Sequence, residues 1–211
     1  GNIDVQETME RIRQNQEKKK FHNKSDIQRF KHEEPLEIDK KYEVLKMDVV
    51  MPKVIVSMKI NDILTDVNHK LKRELAMNLL LDLLFAKSSP LYEKWIDEGL
   101  INSSFSANFT QERDYCFLQI GGDTFEPERL KSKIIELIQT MKDYQISEID
   151  FERVKKKNIG VLISVFNSPE GIANLFSRYY FEGHIIFDLI DTLSHLTLED
   201  MEELKPLFQE N

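Results

Sequence analysis

The sequence is poor in cysteine, which limits both its cross-linking and its location. It holds a single cysteine, Cys116, so no internal disulfide can form. That predicts a reducing compartment, most simply the cytoplasm. Cys116 lies in the strand-like stretch 115–120, where a cysteine usually serves as a small buried hydrophobe. A catalytic thiol is the alternative for this residue.

Long apolar runs and excess positive charge are also missing. No run approaches the roughly 20 apolar residues that a transmembrane helix needs, and the start, Gly1 to Asp4, has no signal-peptide pattern. The net charge of −8 argues against general phosphate binding. The basic runs at 18–20 and 155–157 are interpreted as solvated helix surface, with a nucleic-acid site as the alternative. We therefore expect neither a membrane nor a nucleic acid as a partner.

The motifs of catalytic and metal sites are absent as well. None of the five histidines has another histidine four residues away, the spacing at which two imidazoles share one helix face and bind zinc. No Gly-x-Ser-x-Gly turn occurs. The run Gly121-Gly122-Asp123-Thr124 resembles a phosphate loop but lacks the Gly-x-x-x-x-Gly-Lys pattern, so we interpret it as a strand exit. The sequence predicts no catalytic residue and no metal site in this chain.

What the sequence does contain fits one folded domain with an extension. Its 211 residues are 41% hydrophobic, enough for a core. We predict a partly helical connector over 1–38 and a domain over 39–211. Four strands are expected early in the domain, two joined by a turn at Met51-Pro52 and two forming a hairpin: 42–50, 53–60, 101–110 and 115–121.

Helices are predicted to dominate the rest of the domain. A long helix capped by Asn61 or Asp62 should run to about Ala86, and its second half is apolar on every side, which is typical of a helix buried inside a domain. Further helices are expected at 91–98, 126–141, 147–166, 168–181, 185–193 and from 197. Strands first and helices later indicate an α+β fold, with a mostly antiparallel sheet of about four to six strands and helices on one face.

Several stretches, in this order and spacing, resemble a known family. Residues 78–85 (NLLLDLLF) lead into Ser88-Ser89-Pro90-Leu91 and then Asp97-Glu98-Gly99-Leu100. This pattern resembles the C-terminal half of zinc metallopeptidases of the insulinase/pitrilysin family, which includes the mitochondrial processing peptidases. Four more stretches resemble the short bacterial, YmfH-type members: 121–124, 151–157, 167–174 and 196–200.

The resemblance implies a processing-peptidase-like metallohydrolase fold and a set of partners. Family members pair two homologous halves, or two subunits, into a clam-like chamber. One half carries an inverted zinc motif, His-x-x-Glu-His, and the other lacks zinc and helps to enclose the peptide. The implied partners are the N-terminal zinc-bearing half of the same protein or a homologous subunit, together with a peptide substrate. Zinc would be a cofactor only of that other half. Residues 10–16 resemble its last helix.

The zinc motif itself is replaced at the corresponding positions. When the chain is aligned on Phe85, Asn78 and Asp82 stand where the two motif histidines would lie. Leu81 stands where the glutamate would lie, and a leucine cannot act as a general base. The resemblance therefore implies the zinc-free half.

A second departure concerns substrate contact. Many active members carry an arginine and a tyrosine just before and after the Gly-Leu pair, and these contact the substrate. Trp95 and Asn102 stand at those places here, and they are our substrate-contact candidates. Trp95 cannot supply a fixed positive charge and Asn102 has no phenol. A packing role is the alternative for Trp95.

Three hypotheses about function remain open at this point. In the first, the chain is the non-catalytic C-terminal half of a zinc-dependent peptidase and encloses substrate against the zinc-bearing half. In the second, it belongs to a degenerate relative with a structural or partner-binding role and no peptidase activity. In the third, it is an unrelated enzyme with an unrecognised site. The chain by itself is not expected to be an enzyme under the first two hypotheses.

Overall fold

The computed structural model describes residues 2–20, 30 and 34–208, which fall into two compact units, 1–32 and 33–211. The first unit holds helix α1, Val5–Glu17, where a helix is predicted. Asp4 begins it by accepting a hydrogen bond from the Glu7 amide at 2.8 Å. The rest of the predicted connector lies partly outside the described residues, at 21–29 and 31–33.

The second unit contains a small antiparallel sheet. Its strands are β1 (Lys53–Lys59), β2 (Ser106–Gln111) and β3 (Cys116–Asp123), in the order β1-β3-β2. Val56 lies opposite Ile120, and Phe109 opposite Leu118. The predicted hairpin and the alternating strand before it are present, and the α+β class is confirmed.

The predicted number of strands is wrong for the part of the chain that the structure describes, which holds three strands instead of four to six. The missing strand is the one predicted at 42–50. Its residue types favour a strand, but the structure has none there. Its side chains favour a strand, yet a strand exists only when a second strand accepts its backbone hydrogen bonds. Among the described residues β1 pairs only with β3, and no backbone hydrogen bond joins 42–50 to the sheet.

Seven helices follow β1 in the described part of the second unit, and four of them begin at a serine or threonine cap. Ser89, Ser147, Ser168 and Thr197 each accept a hydrogen bond from the amide three residues on. The bounds are α2 Val67–Phe85, α3 Pro90–Asp97, α4 Pro127–Thr140, α5 Glu148–Ser164, α6 Pro169–Phe181, α7 Ile186–His195 and α8 Leu198–Glu202. Short 3-10 turns lie at Met141–Asp143, Val165–Asn167 and Lys205–Leu207.

The predicted start of the long helix is wrong by several residues. Helix α2 begins after Asp66, which caps it by accepting from the His69 amide at 2.8 Å. Asp62, a predicted cap, instead holds the Arg73 guanidinium through its carboxylate at 3.0 Å and its carbonyl at 2.8 Å. A tertiary ion pair thus takes the side chain that would otherwise cap the helix.

The helices cover one face of the sheet, as predicted. Helix α2 packs against β2, and α4 packs against β1. Helices α5, α7 and α8 cover the opposite side of α2, so α2 lies in the interior of the unit. Ten of its 19 residues are buried, including Met77, Leu80 and Leu84. Alternate residues of the three strands point towards this core, and the others form a face that the helices do not cover.

Among the described residues, no single helix has both the length and the apolar character needed to cross a bilayer. Two consecutive helical segments, taken together, have the length and apolar composition of a membrane span. They are Glu148–Asn167 and Pro169–Phe181, which are bent by 115° at their junction.

Two adjacent glycines allow β3 to approach its neighbours closely. Gly121 and Gly122 are strand residues opposite Ile55 and Val54. A Cβ atom on Gly122 would lie 2.6 Å from the Cα atom of Phe105, a distance that real Cβ contacts do not reach. The pair that resembles a phosphate loop in sequence therefore lies inside the sheet and permits close packing.

We predict that Gly122→Ala destabilises the fold by about 2 kcal/mol, because the added methyl group meets backbone atoms that cannot move aside. Gly160→Ala is the matched control. A Cβ atom there meets nothing within 4 Å, and alanine in a helix interior should add about 0.5–1 kcal/mol of stability. Urea unfolding measures both changes, and equal effects of the two substitutions would contradict the close-approach explanation.

Candidate functional site

The uncovered side of the sheet is the most extensive candidate surface that the strands build. We call it the open sheet face and define it by Ile55, Ser57, Ser106, Asn108 and Gln119. Ser57, Gln119 and Asn108 are direct neighbours across the three strands. The Gln119 amide donates to the Ser57 hydroxyl at 3.3 Å. Ile55 is 57% exposed beside this row, an unusual position for a β-branched apolar residue.

The chemistry of the open sheet face suits recognition of an extended chain. Amide and hydroxyl groups both donate and accept hydrogen bonds, as peptide groups do. At one end the rings of Tyr115 and Phe117 stack with centroids 6.0 Å apart, adding an apolar patch to the polar row. The alternation of residues 54–59 predicts one exposed side of β1. The row across three strands depends on their register, which the sequence alone does not reveal.

Trp95 lies in the core. It is 3% exposed, and its ring meets Phe105 edge-on with centroids 5.6 Å apart. Phe85 and Tyr92 contact the same Phe105 ring at centroid distances of 5.9 and 6.3 Å. Substrate contact by Trp95 stays a prediction, and packing is the role that this geometry supports.

Asn102 is half-buried, and its side chain is used within the chain. Its carboxamide oxygen accepts from the Ser104 amide at 2.8 Å, and its nitrogen lies 3.4 Å from the sulfur of Met51. Its backbone carbonyl accepts from the Phe105 amide at 3.1 Å. These contacts order the loop between α3 and β2. Substrate contact by Asn102 also stays a prediction, and the structure does not bring it together with Trp95 in a shared cavity.

The α2 residues aligned with a zinc motif have ordinary structural roles. Asn78 is exposed and Leu81 is buried in the core. Asp82 is half-buried and is held by α5, where the Lys157 ammonium lies 2.9 Å away and the Asn158 amide donates at 2.8 Å. Asp82 therefore fastens α2 to α5.

Arg73 is a buried charge that sequence reasoning missed. Its Nε donates to the Gln111 side chain at 2.5 Å and its Nη1 to Asp62, while its Nη2 has no hydrogen-bond partner among the described residues. It borders a cleft of about 380 Å³ that Lys72 and Asp200 also line, joined by an ion pair of 2.6 Å. The sequence did offer a signal for this buried charge: Arg73 stands among the apolar residues Leu71, Ala76 and Met77 that α2 buries.

The titratable groups with shifted pKa values have structural explanations. Burial raises the pKa of the Glu74 carboxyl, against the opposing charge of Arg178 and the hydrogen bond from Tyr179. These partners lie 2.9 and 3.1 Å from the Glu74 oxygen and join α2 to α6. Burial also raises the pKa of the Cys116 thiol to about 11. A group held in its neutral form in this way is a poor nucleophile.

Metal ligands do not converge in residues 2–20, 30 and 34–208, where no group of three or more His, Cys, Asp or Glu residues could hold an ion. His184 is buried, with a ring nitrogen 3.0 Å from the Val67 carbonyl. His69 and His195 lie beside Asp66 and Asp191, respectively. The other two histidines, at positions 22 and 32, lie outside the described residues.

Comparisons with known proteins give a consistent picture. The family model for the "Peptidase M16 inactive domain" matches residues 1–158. A Bacillus subtilis protein described as the uncharacterized zinc protease YmfH is 37% identical over 204 residues. That alignment covers 97% of this chain and 47% of the Bacillus protein.

Solved structures show the same relationship. An M16-like peptidase from Alicyclobacillus acidocaldarius superposes with a TM-score of 0.86 at 27% identity, covering 99% of this chain and 49% of that one. A Helicobacter pylori protease superposes with a TM-score of 0.77 at 20% identity, covering 98% and 50%. The chain thus spans about half the length of these relatives.

We predict that the single tryptophan reports the burial of Trp95. In the folded chain its fluorescence should peak at shorter wavelength than in urea, and iodide should quench it weakly, because the ring is shielded from water. Strong iodide quenching of the folded chain, or the same emission maximum with and without urea, would show that the ring is exposed.

We predict slow alkylation of Cys116. With its pKa raised to about 11, the thiolate fraction at pH 8 should be on the order of 100-fold below that of an exposed cysteine, and burial should slow access further. Mass spectrometry after iodoacetamide treatment measures this, with a urea-unfolded sample as the control. Equal labelling rates in the folded and unfolded samples would show that the thiol is exposed.

Proposed function

We propose a function from one premise: the chain belongs to the family of inactive domains of M16 peptidases. It is the non-catalytic, C-terminal type of domain found in zinc-protease-like proteins. From this we propose that it encloses a peptide substrate against a zinc-bearing half of the same protein. The whole protein would then be a zinc-dependent peptidase, with the metal and the catalytic residues in that other half.

The lengths of the relatives support the proposal that zinc binding and substrate enclosure belong to two different halves. The chain aligns with 47% of the Bacillus protein and 49% of the Alicyclobacillus structure, so each has a further part of similar size. The Bacillus protein is described as a zinc protease, while the described residues of this chain gather no set of metal ligands. A zinc ion that activates water would therefore be held by the other half.

The open sheet face is the observation that supports enclosure. A sheet with helices on one side only leaves the other side for a partner or a ligand. Here that side carries a polar row of Ser57, Gln119 and Asn108 beside the exposed Ile55. Such a surface can bind extended peptides of varied sequence, because it offers hydrogen bonds and modest apolar contact without a deep specific pocket.

A second candidate function is a structural or partner-binding role without peptidase activity. The positions of Trp95 and Asn102 favour it. Trp95 is buried, and the Asn102 side chain is bound within its own loop. In this role, neither Trp95 nor Asn102 would contact a substrate. A cytoplasmic location and a homologous subunit remain further proposals.

The test is a peptidase assay on the full-length, zinc-loaded protein with unfolded peptides. We predict that Gln119→Lys and Asn108→Lys raise KM several-fold with a smaller change in kcat, because they alter binding on the open sheet face and not the chemical step. Asn78→Lys is the matched control, since it adds the same charge at an exposed position of α2.

Two outcomes would count against the proposal. If the zinc-loaded protein cleaves none of the peptides, the structural role is favoured. If it cleaves them but all three substitutions change KM equally, the open sheet face does not enclose the substrate.

A further inference from the structure

Residues 43–50 form an exposed excursion of the chain just before β1. We call this segment the excursion. It is rich in residues that favour strands, yet its apolar side chains are more than half exposed, from 56% at Val49 to complete exposure at Val50. Within the described ranges its backbone makes one internal hydrogen bond, from the Val49 amide to the Met47 carbonyl at 3.0 Å.

The excursion is anchored at both ends. Before it, the Tyr42 ring lies under the ammonium of Lys131 on α4, 4.9 Å from the ring centroid, and its hydroxyl lies 3.5 Å from Glu128. After it, Met51 contacts Asn102, and the Pro52 carbonyl accepts from the Thr124 amide at 2.9 Å. These contacts join both ends of the excursion to the rest of the unit, and Tyr42 itself is 62% exposed.

The excursion has the residue pattern of a half-buried strand. In an extended chain, Leu45, Met47 and Val49 would share one side, while Lys46 and Asp48 would share the other. The first side is apolar apart from Glu43 at its start, and the second side alternates the charged Lys46 and Asp48 with Val44 and Val50. The segment could extend about 26 Å as a strand, similar to the strands of an ordinary sheet. A strand with this pattern needs a sheet edge for its backbone and a core for its apolar side.

We propose that the excursion forms a β-strand that pairs with the edge of a sheet in the other half of the same protein. This inference rests on the proposed function, because it assumes that a second half is present. Backbone groups of the excursion hydrogen-bond to that edge strand, and Leu45, Met47 and Val49 enter the core beneath it. The contact is an addition of one strand to an existing sheet.

The position of the excursion favours this partner. The predicted connector directly precedes it, so a preceding half would be tethered within a few tens of residues, at an effective concentration on the order of millimolar. A second copy of the chain has no such advantage. The free edge of β1 is a third possibility, but no backbone hydrogen bond joins the excursion to β1 among the described residues, and Tyr42 contacts α4 instead.

Hydrogen–deuterium exchange of the full-length protein, followed by mass spectrometry, tests the proposal. Peptides covering 43–50 should exchange at least about 100-fold more slowly than an unstructured chain, at any protein concentration. Met47→Asp should abolish this protection by placing a carboxylate in the apolar contact. Lys46→Asp is the matched control: it changes the neighbouring residue on the charged side and should leave the protection intact.

Each other outcome overturns the proposal in a distinct way. Exchange as fast as that of an unstructured peptide means that no strand forms. Protection that disappears on dilution identifies a second copy as the partner. New protection of the outward amides of β1 identifies a hairpin with β1. The measurement needs no peptidase activity, so an inactive protein with a protected excursion would refute the proposed function and leave this inference standing.

Discussion

The second half of helix α2 has to be covered on nearly every side, because eight of the ten residues from Ala76 to Phe85 are buried and all eight are apolar. A helix of this kind cannot lie at a surface without exposing a large apolar area. The sheet covers it from one side, and α5, α7 and α8 cover it from the other. The order of layers in the second unit follows from this requirement: the sheet, then α2, then the helices α5, α7 and α8 that pack on it.

The same requirement leaves the opposite face of the sheet uncovered. The helices gather around α2 on one side, so Ile55, Ser57, Asn108 and Gln119 remain accessible on the other. The ring cluster around Phe105 and the close approach at Gly122 hold the strands against the core. The surface proposed to face a peptide is therefore supported by rigid packing behind it, which lets a domain without catalytic groups act through its shape.

The ionisable groups of the interior serve the fold in the same way. Glu74 joins α2 to α6, Asp82 joins α2 to α5, and Arg73 holds the segment before α2 and the end of β2. Each is a charge that burial would disfavour, and each is paired with a group on another element. Shifted pKa values often mark catalytic sites. For Glu74, burial raises the pKa of the carboxyl, and its partners Arg178 and Tyr179 are groups that hold α6 against α2.

Local signals in the sequence determined most of the helices and the fold class. Serines and a threonine that bond to nearby amides set the starts of α3, α5, α6 and α8, because a cap involves residues only three positions apart. The all-round apolar character of α2 likewise predicted its burial. The absence of catalytic motifs, together with the resemblance to a family, pointed to a non-catalytic half.

Only the tertiary structure decided the features that depend on distant partners. Residues 42–50 have a strand-like composition, but in the described part of the chain they pair with no strand, not even at the free edge of β1. Asp62 was predicted to cap α2, but its carboxylate pairs with Arg73, eleven residues further along the chain. The sequence left Trp95 open as a substrate-contact candidate or a packing residue, and the structure packs its ring against Phe105 in the core. Hydrogen-bond pairing, ion pairing and ring packing join residues far apart in the chain, so local sequence patterns cannot determine them.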